Sequence, residues 1–244
     1  MKLFRSSLLM MGELAAFGWF ILSDIAFIAV LPLIPLGILF YYLHHVEAGR
    51  LQWLDSGITL VGIFISAFLV SRGLFEGRGF WMLCFLALAV SLGATRAPIG
   101  ELERISGWWM TAFLLVFVAM LIATIPGIEK RESLPHWGNA TDIIIFYLLA
   151  FLEPLSLGKD YRAGPLALGI LLIPFATLSF LALGSGAFGM AEFPYLSVWS
   201  GVSISAFHHT EGIILCLYFG AVVLRASHLV SDFSFAYRNK KQTE

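Results

Sequence analysis

Residues 108–125 read WWMTAFLLVFVAMLIATI, eighteen consecutive positions without a charged side chain. The hydrocarbon core of a bilayer is about 30 Å thick, and a helix crosses it with about 20 residues. Blocks of this kind recur along the chain, divided by short charged punctuation, and a water-soluble domain of 244 residues lacks the interior to hide them all. Apolar residues make up 59% and charged residues 13% of the sequence. The expected fold class is therefore all-α, a polytopic helical bundle in a membrane. Residues 1–244 read as a single integral membrane domain, because no hydrophilic insertion is long enough to fold alone.

Eight apolar segments can be marked: 8–22, 25–43, 57–75, 80–94, 105–125, 142–157, 165–183 and 205–230. They are read as about eight transmembrane helices. The start, MKLFRSSLLMMGELAAFGWFIL, combines a basic end with an apolar stretch, as signal peptides do. Glu13 interrupts that stretch, and the expectation is a retained first helix.

Lys and Arg concentrate in cytoplasmic loops. With both termini cytoplasmic, ten basic residues fall inside: Lys2, Arg5, Arg50, Arg96, Arg104, Lys159, Arg162, Arg238, Lys240 and Lys241. Four fall outside, Arg72, Arg78, Lys130 and Arg131, and Arg225 lies within the last segment. This bias sets the expected orientation. The net charge of −1 gives no basic field for nucleic acid, so lipid is the expected surrounding and nucleic acid is not an expected partner.

The chemistry-bearing residues are few. Ionisable groups inside apolar segments are costly and usually face protein or water. Glu13, Glu153, Glu211 and Arg225 are the four that stand out. Pro154 lacks an amide hydrogen and disfavours helix in the residue before it, so a break is expected beside Glu153. Backbone exposed at such a break binds substrate in many transporters, although Glu153 also reads as the plain end of a short span. Glu211 and Arg225 are fourteen residues apart, about 21 Å along a helix, and cannot pair with each other. Glu13 sits between Gly12 and Gly18, which permit close backbone approach. Glu153, Pro154, Glu211 and Glu13 are the candidate ligand-binding residues.

Neighbouring histidines on a helix point about 100° apart, so the pairs His44–His45 and His208–His209 do not suggest a metal site. Cys84 and Cys216 each lie in an apolar block without a CxxC pattern, and neither a disulfide nor a metal is assigned. No H-E-x-x-H, G-x-S-x-G or Walker loop occurs. No catalytic residue or cofactor is expected, and the chain does not read as an enzyme. Residues 181–207 carry Gly184, Gly186, Gly189 and Pro194, which argues against continuous helix there. A loop and a re-entrant or membrane-surface helix over 194–205 are expected, with Phe193, Tyr195 and Trp199 at headgroup level.

Residues 193–230, FPYLSVWSGVSISAFHHTEGIILCLYFGAVVLRASHLV, resemble the B-subunit family of spore germinant receptors, within the amino acid–polyamine–organocation permease superfamily. The likeness rests on the aromatic–proline step Phe193–Pro194 and on the turn His209-Thr210-Glu211 that opens a span. His209 stands where the family has arginine. Leu134–Pro135, the acidic position in Phe151-Leu152-Glu153, and the entry from Gly100 to Arg104 are similar to further family features. The resemblance covers residues 100–230 and implies a LeuT-like architecture, with the last two of ten spans lacking here. It implies a permease-like subunit that binds a small amino-acid-like germinant within the bundle. It also implies partners, a larger receptor membrane subunit and a lipoprotein subunit. The alternative is a non-transporting scaffold or assembly subunit of a membrane complex.

Overall fold

The computed structural model describes residues 10–44, 52–94, 98–125, 139–157, 161–191, 193–201 and 211–243. Among the described residues the regular structure is entirely helical. A 3-10 turn, Met10–Glu13, leads into α1 (Leu14–Leu22). Then follow α2 (Phe27–Val30), α3 (Leu33–Leu43), α4 (Gln52–Phe75), α5 (Phe80–Gly93) and α6 (Ile99–Thr124). The chain continues through α7 (Ala140–Leu157), α8 (Gly164–Met190), the short α9 (Pro194–Gly201) and α10 (Glu211–Thr243).

Five helices are long and apolar enough to cross a bilayer: Trp53–Phe75, Gly100–Thr124, Ala140–Leu157, Gly164–Leu183 and Glu211–Asp232. The chain is therefore an integral membrane protein built as a helical bundle. The other three marked segments are shorter apolar helices, Met11–Leu22, Ile28–Leu43 and Phe80–Gly93. At about 1.5 Å per residue these fall short of the hydrocarbon thickness on their own.

The shortest of them is the most enclosed. Leu14, Ala15, Ala16, Phe17, Gly18, Phe20 and Ile21 are all buried, so α1 meets protein on nearly every side. Its neighbours are α7, α4, α9 and α10. The tightest approach is at Gly18, where a Cβ would collide with the Tyr218 hydroxyl and lie 2.6 Å from Ile65. Lipid tails are as apolar as leucine, so helices associate through close contact and hydrogen bonds instead of water exclusion. Gly18 supplies the contact, and Tyr218 supplies the bond by donating to the Leu14 carbonyl at 2.8 Å.

The helices pair in a regular order. Segment one (α1) packs on segment six (α7), segment two (α2 and α3) on segment seven (α8), and segment three (α4) on segment eight (α10). Between these pairs lies an aromatic core. Phe17 meets Phe113, Phe117 and Tyr218, with centroids 5.4–5.6 Å apart. Phe175 stacks on Trp199 at 5.0 Å and lies 5.2 Å from Tyr195.

Two local expectations are corrected. The α7 helix does not break at Pro154; it continues to Leu157 and forgoes the one backbone bond that proline cannot donate to the Ala150 carbonyl. The glycines at 184, 186 and 189 do not stop α8, which runs to Met190; glycine is better tolerated in membrane helices than in soluble ones. A short helix does begin at Pro194 as expected, and its Tyr195 and Trp199 are buried against the Phe175 ring.

Candidate functional site

The N-terminus of α1 lies inside the bundle, where its first amides have no water to bond. Glu13 occupies the N-cap position, but its side chain makes no capping bond. Glu153 does so from another helix. Its Oε2 accepts from the Ala15 amide at 3.1 Å and the Ala16 amide at 3.4 Å, and its Oε1 lies 3.3 Å from the Ala15 nitrogen. A carboxylate on free amides at a helix N-terminus satisfies donors and meets the positive end of the helix dipole. Glu153 thus caps α1 from 138 residues away.

The same carboxylate forms an ion pair with Arg225 Nη1. Arg225 in α10 also donates from Nη2 to Asp55 Oδ1 at 2.8 Å and from Nη1 to the Met11 carbonyl at 3.0 Å. Glu153 is fully buried, and Arg225 and Asp55 are 6% and 9% exposed. One guanidinium therefore joins four parts of the fold: the turn before α1, and helices α4, α7 and α10. Burying such charges costs several kcal/mol each unless they are paired and hydrogen-bonded, and here the pairing is mutual.

Glu13 completes the cluster. It is fully buried, and neither carboxyl oxygen has a hydrogen-bond partner among the described residues. It packs against Gly164, the first residue of α8; a Cβ there would overlap the carboxyl, 3.1 Å from its Cδ. Asp55 lies in the first turn of α4 and Glu153 in the last turn of α7. The cluster accordingly sits toward one end of the bundle, the end where α4 and α8 begin and α7 finishes.

Of the sequence-predicted residues, Glu153 and Glu13 come together with Arg225. Pro154 is buried beside Glu153, within a helix that continues past it to Leu157. Glu211 is also buried, yet it begins α10 and stands fourteen residues, or about 21 Å, from Arg225. It lies at the other end of the bundle, outside this cluster. His44 is buried with its ring stacked on Phe40 at 4.8 Å. His45, His208, His209 and the Leu134–Pro135 pair lie outside the described residues. No group of acidic, His or Cys side chains among the described residues is arranged to hold a metal ion.

Asp55 is the residue that sequence reasoning missed. It stands two positions before the third apolar segment as marked, and so resembles an ordinary helix start. A signal was present. Asp55, Thr59 and Ser66, spaced by four and seven, fall on one helical face, and all three are buried.

Away from the cluster, Ser106 and His228 Nε2 are 2.8 Å apart and join α6 to α10. Ser106 is fully buried, which suits a tie between helices and not an accessible nucleophile.

Comparison of the chain with protein-family models, with curated proteins and with solved structures finds no match.

Proposed function

We propose that this chain is a permease-like membrane subunit that binds a small amino-acid-like ligand at the Arg225 cluster. The observation that carries the reading is the receptor for a carboxylate formed by the Ala15 and Ala16 amides and Arg225, which the protein fills with its own Glu153. A ligand carboxylate has the same chemistry and can exchange with that of Glu153. The displaced Glu153, with Asp55 and Glu13, then offers acidic partners to the ligand ammonium group. The exchange conserves charge, because a zwitterion brings one group of each sign.

Two further features support a permease-like reading. Each of the first three segments packs on the segment five places later, the order expected of two intertwined repeats. The cluster draws on segments one, three, six and eight, so a ligand there would touch both halves. With the resemblance over residues 193–230, these features favour a LeuT-like architecture and the germinant-receptor B-subunit role. In that role its partners are a larger membrane subunit and a lipoprotein. The expected setting is a bacterial inner membrane with both termini in the cytoplasm.

The test is thermal stabilisation of the purified protein by a panel of amino acids and nucleosides. At least one amino acid should raise the melting temperature, and Glu153→Gln should alter that response while leaving the chain folded. A flat response across the panel would count against ligand binding.

A second reading has its own observation. Arg225 is already matched to Asp55 and Glu153 without a ligand, which suits a scaffold subunit whose cluster only locks helices together. Co-purification of a partner subunit, with no response to the panel, would favour it.

A further inference from the structure

The buried cluster holds three carboxyl groups, Glu13, Asp55 and Glu153, against one guanidinium. If every group were ionised, two negative charges would lack a counterion inside the bundle. Two of the carboxylates are accounted for: Asp55 pairs with Arg225, and Glu153 pairs with Arg225 and the α1 amides. Glu13 is left fully buried, with neither oxygen bonded among the described residues. An isolated carboxylate there would carry a desolvation cost that nothing offsets. The guanidinium is not saturated either, because its buried Nε has no acceptor among the described residues. Arg225 holds the carbonyl of Met11, two residues before Glu13, so an unused donor and an unused acceptor pair belong to adjoining parts of one buried cluster.

We propose that Glu13 is a buried proton-binding site, and that its occupancy sets which carboxylates Arg225 holds. With the proton bound, Glu13 is neutral and Arg225 stays on Asp55 and Glu153. When the Glu13 O–H bond breaks, the proton passes to water and the new carboxylate draws the guanidinium toward itself through Nε. Glu153 then keeps only its bonds to the Ala15 and Ala16 amides.

The elements packed on the Met10–Glu13 turn bring Glu153 on α7, Arg225 on α10 and Tyr161, whose ring lies against Gly12. Asp55 on α4 joins the cluster through Arg225, and Tyr218 on α10 lies at the next turn of α1. Tyr218 is committed to the Leu14 carbonyl. Arg162, the nearest described cation in sequence to Gly164, is engaged with Tyr41: its Nη2 lies 3.2 Å from the hydroxyl and its guanidinium 4.2 Å from the ring centroid. The proposal rests on this cluster alone and does not depend on the ligand reading.

Infrared spectroscopy of the full chain in lipid nanodiscs tests it. At neutral pH the wild type should show a protonated-carboxyl C=O band that shifts in heavy water and is lost in Glu13→Gln. Glu13→Gln, which mimics the neutral acid, should melt near the wild-type temperature. Should that variant fail to fold, Glu13→Asp keeps a carboxyl in a shorter side chain and should move the band without abolishing it. A band unchanged in the folded Gln variant, or unmoved in the Asp variant, would overturn the assignment. So would stabilisation by sodium or potassium chloride that Glu13→Gln removes, because the site would then hold a metal cation in place of a proton.

Discussion

The amide of Ala15 donates to the carboxylate of Glu153 at 3.1 Å, so a residue near the end of α7 supplies the capping carboxylate of α1. In water a helix start finds its own cap or a solvent molecule. Here α1 begins inside a bundle, and a separate helix provides the acceptor. The position of α1 along the membrane normal is consequently tied to α7.

That bond separates two substitutions at one site. Glu153→Gln keeps an oxygen able to accept from the Ala15 amide but removes the charge. Glu153→Ala removes both. The glutamine variant should lose about 1–3 kcal/mol of stability, as for a charged hydrogen bond, and the alanine variant more. Unfolding in mixed micelles would measure the difference.

Arg225 is the cation shared by this network, so its removal leaves buried carboxylates uncompensated. Arg225→Leu should destabilise the protein by about 3–5 kcal/mol. Adding Asp55→Asn to that variant should recover part of the loss, since it removes a stranded charge. A double-mutant cycle on Arg225 and Asp55 would read this as a non-additive coupling.

At Gly18 the limit is steric. An alanine would meet the Tyr218 hydroxyl and Ile65, in a place where neither the backbone of α1 nor the Tyr218 ring has room. Gly18→Ala should cost about 1–3 kcal/mol, the usual range for overpacking. Tyr218→Phe in the same background should relieve part of the clash, although it leaves the Leu14 carbonyl without its donor. Circular-dichroism melts of the wild type and the two variants would show whether the order holds.

Phe117 is fully buried and lies 5.1 Å from Phe175 and 5.6 Å from Phe17, centroid to centroid. Phe117→Ala should open a cavity and cost up to about 3–5 kcal/mol. The same variant should leave the Arg225 cluster intact, so any ligand response would persist at lower temperature. Thermal-shift assays on the variant, with and without the panel, would establish both points.

The orientation is open to direct measurement. Reporter fusions placed after residue 243 and within residues 126–138 should report the cytoplasmic and outer sides respectively. The reverse pattern would invalidate the count of basic residues.

Helix content was legible in the sequence because unbroken apolar runs leave a chain in lipid no other way to satisfy its backbone. The ends of α8 were not, since the glycine penalty that applies in water misjudged residues 184–189. Glu13, Glu153 and Arg225 could be picked out because an ionisable side chain in an apolar segment is conspicuous. Asp55 was passed over, because a carboxylate at a helix start looks ordinary until the polar face it shares with Thr59 and Ser66 is noticed. The sequence also contained no sign that Glu153 would serve α1, because that pairing depends on how segments one and six meet.

Gly164 carries a consequence for sequence change. A side chain at that position can be admitted only if the one at 13 becomes smaller, since both compete for the same few cubic ångströms. Relatives with alanine or serine at 164 should therefore carry aspartate or a small neutral residue at 13. A side chain gained at 164 alone would be filtered out, so the two positions should record their shared history as a correlated pair.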